Sequence, residues 1–162
     1  MQLLRPEWAL LDFQVNICLR SLESQCKTPI ENLLIVAEPL TIRTIEGEDT
    51  LELPSIDYLM SNLMKINLSK DLINICLRPH PSEYPENYNF IRERYKDLAT
   101  DFMISDNENL HEDISWADLV MGTNSFAIVV ALKANVPTMS YIHPDKPSCV
   151  LPYKEILHLK NI

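Results

Sequence analysis

The chain has 162 residues, of which 46% are hydrophobic and 23% charged, and these proportions predict one globular domain with a sizeable buried core. The net charge of −9 argues against a protein that binds duplex nucleic acid or a membrane surface, because those partners need a basic face, but it allows a small anionic ligand. Two glycines are too few for a Walker or GxGxxG phosphate loop, and no apolar run approaches the roughly 20 residues that span a bilayer.

The first half of the chain is predicted to start with a helical segment and to continue with two strands around one helix. Residues 1–29 form the helical segment, although the alternation from Phe13 to Leu19 also fits a strand. Residues 33–37 are a continuous apolar run, the pattern of a strand buried on both faces. A polar excursion follows at residues 41–53, and its acidic run at residues 46–49 is expected to be solvated. The next helix and strand are predicted at residues 54–67 and 72–77.

The second half repeats the alternation of helix and strand. Helices are predicted at residues 85–99, 110–116 and 126–134, and strands at residues 101–105, 118–121 and 136–142. After a loop, residues 153–158 are predicted to be a last short helix or tail. This alternation predicts a doubly wound, Rossmann-like α/β domain over residues 30–162, with about five parallel strands. Such domains bind ligands in the crevice beyond the carboxyl ends of their strands.

Arg78, Pro79, His80 and Pro81 come directly after the second predicted strand. The two prolines fix φ on either side of the histidine and favour extended backbone before each ring, so the imidazole is held on a rigid stalk. We expect His80, together with Arg78, to contact a ligand phosphate and to stabilise the negative charge that develops on a leaving group. The alternative is a capped loop whose histidine is satisfied by backbone groups. His143 repeats the pattern after the last strand and is a second candidate for the same cleft.

Gly122, Thr123, Asn124 and Ser125 join the fourth predicted strand to the next helix. The glycine lies where the backbone turns sharply and where a positive φ is expected. The hydroxyl and N–H groups that follow lie at a helix N-terminus, which suits a phosphate or a carboxylate. The alternative is an ordinary N-cap, since Ser, Thr and Asn are the commonest caps, and the two roles are compatible. The strand, the turn, the helix and the next strand are expected to form a right-handed βαβ unit.

An acidic loop, residues 105–109, follows the third predicted strand. The loop is expected to be a solvated turn that caps the next helix, and the alternative is that Asp106 and Glu108 accept hydrogen bonds from ribose hydroxyls or from a base edge. Glu38, after the first strand, is either a base or ligand contact or a surface carboxylate. His111 has the setting of a surface histidine. The spacing shows neither a nucleophile–base pair nor a metal cluster, so no metal and no cofactor are predicted.

Three segments together resemble the C-terminal, donor-binding domain of GT-B glycosyltransferases. They are LRPHPSE after the second strand, SDNENLHEDI after the third, and WADLVMGTNSFAIVVALKANVPTMSYI around the fourth and fifth. The likeness covers about residues 30–145 and is greatest to bacterial enzymes that build surface polysaccharide. These include sialyltransferases and polysialyltransferases, with a His-Pro motif and a later Ser/Thr motif, and the capsule and teichoic-acid polymerases.

The resemblance implies a role for each of these residues. His80 would contact the donor phosphate, Thr123 and Ser125 would bind phosphate oxygens, and the acidic loop would lie near the nucleoside. The implied donor is a CMP-, CDP- or UDP-linked sugar, the acceptor is a glycan, and catalysis needs no bound metal. The cysteines show no paired spacing, which predicts a reduced, cytoplasmic chain. The predicted location includes the inner face of the membrane.

A GT-B enzyme also needs an N-terminal domain that carries acceptor contacts and the catalytic base, and 162 residues cannot hold both domains. We therefore expect a donor-binding half that binds nucleotide without turnover until a second domain completes it. An exposed apolar flank is expected where that domain docks, and it would favour homo-oligomers. The alternatives are a sugar-nucleotide epimerase-like domain, which also requires a second domain, and a non-catalytic interaction module that keeps the fold without the site.

Overall fold

A six-stranded parallel sheet forms the centre of the computed structural model, which describes residues 29–40, 42–44, 47–49, 51–66, 68–69 and 73–162. The strands in these ranges are β1 Asn32–Val36, β2 Ile42–Thr44, β3 Gly47–Asp49, β4 Asn74–Arg78, β5 Asp101–Ile104, β6 Leu119–Gly122, β7 Thr138–Ser140 and β8 Leu157–His158. The sheet order is β5-β4-β1-β6-β7-β8, and β2 and β3 form a separate antiparallel hairpin. The predicted doubly wound α/β fold is confirmed. The predicted helical segment at residues 1–29 lies outside the described residues, apart from residue 29.

Three of the four α-helices that the structure describes are shorter than the sequence predicts, and the helix at residues 110–116 has the predicted bounds. They are α1 Glu52–Ser61, α2 Asn89–Tyr95, α3 Leu110–Trp116 and α4 Phe126–Lys133, with 3-10 turns at Leu63–Lys65, Pro85–Tyr88, Lys96–Leu98 and Leu159–Asn161. The helix predicted at residues 85–99 is a 3-10 turn, an α-helix and a second 3-10 turn in succession. None of the helices in the described ranges is long and apolar enough to cross a membrane.

The last strand, β8, corrects the prediction of a short helix or tail at residues 153–158. It pairs in parallel with β7, with Leu157 opposite Met139 and His158 opposite Ser140. Two residues are too few to show the alternation of a strand, and their pairing depends on backbone groups rather than side-chain pattern. The sheet therefore has six strands where about five are predicted.

Both faces of the sheet are covered, which explains the continuous apolar run of β1. Leu33 and Ile35 pack in one cluster with α1 and α2, and Leu34 and Val36 pack in the other with α3 and α4. All four side chains are at most 2% exposed. Successive side chains of a strand point to opposite faces, so a strand between two helical layers must be apolar at every position.

Strand β1 also fixes the level at which its neighbours end. Val36 lies opposite Arg78 of β4 on one side and opposite Gly122 of β6 on the other. Neighbouring strands are about 4.8 Å apart, so Arg78 and Gly122 are roughly 10 Å apart at the same edge of the sheet. The chain runs outward from β1 to β5 and then returns to β6, which makes the gap between β1 and β6 the point where the strand order reverses.

Helix α4 ends without a glycine. Asn135 takes the left-handed conformation after the helix, with φ of 60°. The N–H of Asn135 donates to the carbonyl of Leu132 at 3.1 Å, and the N–H of Val136 donates to the carbonyl of Ala131 at 3.0 Å. This pair of hydrogen bonds closes the helix as a Schellman motif and turns the chain toward β7.

Gly122 is needed for close packing and not for a positive φ, which corrects the prediction. Its φ lies outside the left-handed region, and a Cβ built on it would lie 2.9 Å from Ile128 Cδ1 and from Val36 Cγ2. Helix α4 therefore approaches β6 closely enough that any side chain here would meet β1 and α4 at once.

Gly122→Ala is expected to lower the free energy of unfolding by about 1–3 kcal/mol, because the added methyl group overfills this contact. Urea denaturation followed by circular dichroism measures the loss. In an Ile128→Ala background, which removes the α4 atoms that the new methyl group meets, the cost should fall. An equal cost in both backgrounds would show that the contact with Ile128 is not its cause.

Candidate ligand-binding site

His80 lies on a short turn beyond the carboxyl end of β4. Its Nδ1 accepts the N–H of Ser82 at 3.1 Å and lies 2.7 Å from the Ser82 hydroxyl oxygen, while its carbonyl accepts the N–H of Glu83 at 2.9 Å. An Nδ1 that accepts a backbone N–H leaves the proton of the neutral ring on Nε2. Within the described part of the chain, Nε2 makes no hydrogen bond. The turn therefore orients one ring nitrogen and leaves the other as a donor for a ligand.

A cleft of about 250 Å³ lies beside this turn, between the ends of β4 and β5. It brings together His80, Arg78, Asp106 and Glu108 of the predicted site residues. The other lining residues are Pro79, Pro81, Glu83, Pro85, Ser105 and Asn107. Clefts that bury a whole drug-sized ligand have about 300–1,000 Å³, so this cleft matches one part of a nucleotide sugar rather than the whole molecule.

Arg78 is engaged with the acidic loop. Its Nη1 donates to Asp113 Oδ2 at 2.5 Å and to the carbonyl of Asn107 at 3.0 Å, and its Nη2 donates to the carbonyl of Glu108 at 3.2 Å. Three of its five N–H donors are thus used and its charge is paired. The phosphate contact expected of Arg78 stays a prediction. In the structure Arg78 holds the acidic loop in place.

Asp113 is the centre of this network and was not identified from the sequence. It is 3% exposed, and besides Arg78 it accepts the Ser105 hydroxyl at 2.7 Å and the Asn107 side-chain amide at 2.6 Å. In the sequence it stands in an acidic stretch at the start of a short helix, which is typical of a solvated residue. The one feature of the sequence that could have pointed to Asp113 is its position in α3, which directly follows the acidic loop.

The junction from β6 to α4 is more structural than the sequence suggests. Ser125 caps α4, since its hydroxyl oxygen accepts the N–H of Ala127 at 3.2 Å, and Asn124 Oδ1 accepts the N–H of Val150 at 3.0 Å. Thr123 is fully buried, and its hydroxyl donates to Glu52 Oε2 at 2.9 Å. The capping alternative is therefore confirmed for Ser125.

Thr123 is buried and its hydroxyl donates to Glu52, and the phosphate contact expected of that hydroxyl stays a prediction. The first N–H groups of a helix have no partner within the helix, so anion binding at this junction would fall to backbone donors such as the N–H of Phe126. Phe126 is the first residue of α4 and is 72% exposed, so a ligand can reach this end of the helix.

Glu52 is the second residue that sequence reasoning missed. It belongs to the first turn of α1 and is 1% exposed, and it accepts hydrogen bonds from Thr123 and from the Tyr141 hydroxyl. Burial raises the pKa of the Glu52 carboxyl to about 8, against smaller lowering effects of the hydrogen bonds from Tyr141, from Thr123 and from the Glu38 backbone. The sequence places Glu52 at the end of a polar excursion expected to be exposed, which is wrong for this residue.

The remaining candidates lie elsewhere on the carboxyl edge. Glu38 follows β1 and is partly buried, and its carbonyl accepts the Tyr88 hydroxyl at 3.2 Å. His143 packs against α1: its N–H donates to Ser55 Oγ at 3.0 Å, and its ring meets that of Tyr58 edge-on at 5.5 Å. His143 is not among the residues that line the cleft. In the described ranges, no group of three or more His, Cys, Asp or Glu side chains could hold a metal ion.

Comparison with known proteins supports the fold. No protein-family model matches the chain, and no curated protein matches it. A similar solved structure is that of Thermosulfurimonas dismutans KpsC, a β-Kdo 2,7-transferase, with 18% sequence identity and a TM-score of 0.50. The similarity covers 89% of this chain and 45% of that chain, so the chain spans less than half of the KpsC structure. At this identity the likeness establishes a shared α/β fold.

Arg78→Gln is expected to destabilise the protein by roughly 3 kcal/mol, because it leaves the buried Asp113 carboxylate without its cation. Arg94→Gln is the matched control: Arg94 pairs with Asp57 on the surface, where both side chains are more than 40% exposed. That change should cost less than about 1 kcal/mol. Chemical denaturation of Arg78→Gln, of Asp113→Asn and of the double variant gives the coupling energy of the pair, which should be clearly favourable. Additive effects of the two substitutions would show that the pair contributes nothing of its own.

Proposed function

We propose that this chain is the nucleotide-sugar-binding half of a GT-B glycosyltransferase that acts in bacterial surface polysaccharide synthesis. The observation that carries the proposal is the cleft at the carboxyl ends of β4 and β5, which His80 and the acidic loop line together and where Ser82 engages Nδ1 of His80. The fold shared with a β-Kdo transferase, a glycosyltransferase, supports it. The sialyltransferase-like part of the proposal is supported only by the His-Pro pair and the later Thr-Asn-Ser segment.

Charge decides how a donor would lie in this cleft. Glu83, Asp106 and Glu108 are acidic lining residues, and the one arginine there is paired with Asp113. Carboxylates accept hydrogen bonds from hydroxyls and repel phosphates. The hydroxyl-bearing ribose or sugar would therefore lie against the acidic loop. The phosphate would lie on the other side, between the His80 Nε2–H and the backbone N–H groups at the start of α4.

This arrangement assigns each group a task in the transfer reaction. His80 would donate a hydrogen bond to the donor phosphate and so stabilise the negative charge that grows on it as the glycosidic bond breaks. Asp106 and Glu108 would hold the donor by its hydroxyls. The glycan acceptor and the catalytic base would come from a second domain, so the chain by itself would bind nucleotide without turning it over.

Isothermal titration with CMP, CDP, UDP and GDP tests the proposal. We expect one of these nucleotides to bind, and His80→Ala to weaken its affinity about tenfold or more, since a hydrogen bond to a charged group contributes roughly 1.5–3 kcal/mol. His111→Ala is the matched control, because His111 is an exposed histidine outside the cleft lining. Binding that is unchanged by His80→Ala, or equally weakened by His111→Ala, would contradict the assignment.

A second candidate is a non-catalytic module that keeps the fold without the site. A specific observation favours it: the side chains of Glu52, Thr123 and Tyr141 fill the space beside the ends of β6 and β7. In open α/β sheets the ligand often lies beyond the point where the strand order reverses, here between β1 and β6, and Thr123 directly follows β6. A folded protein that binds none of the four nucleotides would favour this candidate. Conversion of a UDP-N-acetylhexosamine to its epimer would instead favour the epimerase-like alternative.

A further inference from the structure

One carboxyl group connects the first turn of α1 to three strand ends. Glu52 Oε2 accepts the Thr123 hydroxyl, which follows β6, and Glu52 Oε1 accepts the Tyr141 hydroxyl, which follows β7. The backbone N–H of Glu38, which follows β1, donates to the same carboxyl. These contacts span 71 and 89 residues of sequence for Thr123 and Tyr141 respectively. The carboxyl therefore lies where the strand order reverses and where a helix of the facing layer begins.

Burial of this carboxyl favours its neutral form more strongly than its hydrogen bonds favour the charged form. Glu52 is 1% exposed, and the partners described above are two hydroxyls and one backbone N–H, none of which carries a positive charge. The titratable groups that face it are Glu38, Tyr141 and Tyr88, and the first adds a negative charge nearby. A buried carboxylate without a cation is costly, so the group retains its proton instead. Burial also raises the pKa of Tyr141 and of Tyr88, so both phenols stay neutral.

We propose that Glu52 is a positioning residue whose neutral carboxyl group ties α1 to the ends of β1, β6 and β7 and thereby holds the start of α4 in place. Thr123 is the link, because the two residues after it, Asn124 and Ser125, lead directly into the helix. Loss of the proton puts an uncompensated negative charge among these strand ends. The start of α4 should then shift, and any anion bound to its backbone N–H groups would also be repelled.

The raised pKa of Glu52 determines how the stability of the protein changes with pH. The pKa of Glu52 rises from 4.5 in the unfolded chain to about 8 in the folded one, so the folded state holds a proton that the unfolded state has lost. Between these two values the protein loses stability as the pH rises, with the unfolding equilibrium constant growing up to about tenfold per pH unit. Below pH 4.5 and above about pH 8, Glu52 does not contribute to the change of stability with pH.

Glu52→Gln keeps a neutral side chain of the same size, and the test compares it with the wild-type chain from pH 5 to pH 9. We compare the slope of the logarithm of the unfolding constant against pH. This slope should be smaller in Glu52→Gln than in the wild-type chain by about one unit, which corresponds to one proton. Glu86→Gln, at an exposed glutamate of the 3-10 turn Pro85–Tyr88, should retain the wild-type slope. Equal slopes in the wild-type chain and in Glu52→Gln would overturn the proposal.

The amide resonances of residues 123–126 give a readout that a merely structural residue would not move. In the wild-type chain they should titrate with a midpoint near pH 8, and in Glu52→Gln this titration should be absent. Tyr141→Phe keeps the ring but removes one donor to the carboxyl, so the midpoint should move to higher pH. If the amides do not titrate, or still titrate in Glu52→Gln, the start of α4 is not held by this group.

Nucleotide affinity is a third readout, and this one depends on the proposed function. Wild-type affinity should fall at least threefold from pH 7 to pH 9, and the fall should be smaller in Glu52→Gln. An equal fall in both proteins would contradict a role for Glu52 in ligand binding. If no nucleotide binds at any pH, the proposed function fails, while the unfolding and amide measurements still decide the role of Glu52.

Discussion

The structure depends on the pairing of β1 with a parallel strand on each side. Because Val36 lies opposite both Arg78 and Gly122, β4 and β6 end at the same level as β1. The turn that carries His80 and the start of α4 are thereby brought to one edge of the sheet. Short polar segments that are 40 or more residues apart in sequence become neighbours only through the backbone hydrogen bonds of these three strands.

Two buried carboxylic acids organise that edge, and they do so in different ways. Asp113 is paired with the Arg78 guanidinium, and its three donors shape the acidic loop. Glu52 has hydroxyl and backbone donors and holds a proton at neutral pH. The first fixes one wall of the cleft and the second fixes the start of α4. A buried acid is tolerated either with a cation or with a proton, and this fold uses both solutions.

The sequence was sufficient for the parts of the fold that local pattern determines. The apolar run at residues 33–37 predicted β1, and helix α3 was predicted at residues 110–116, where it is found. Strand β8 and the broken helix around α2 were missed, because short elements show too little periodicity. Of the residues proposed for the site, His80, Asp106 and Glu108 line the cleft beyond the ends of β4 and β5, and their role in binding stays a prediction. Glu52 and Asp113 were not predicted, since the hydroxyl partners of Glu52 are 71 and 89 residues away and the arginine that pairs with Asp113 is 35 residues away, and no local pattern predicts such contacts.

The central claim is that a nucleotide binds at the carboxyl edge, with its phosphate near His80 and its hydroxyls against the acidic loop. A crystal structure of the chain with CMP or UDP bound tests it most directly. We expect a phosphate oxygen within hydrogen-bond distance of His80 Nε2, and a ribose hydroxyl near Asp106 or Glu108. A nucleotide bound at the opposite, amino edge of the sheet, where the cavity beside Arg92, Lys96 and Asp101 lies, would contradict it.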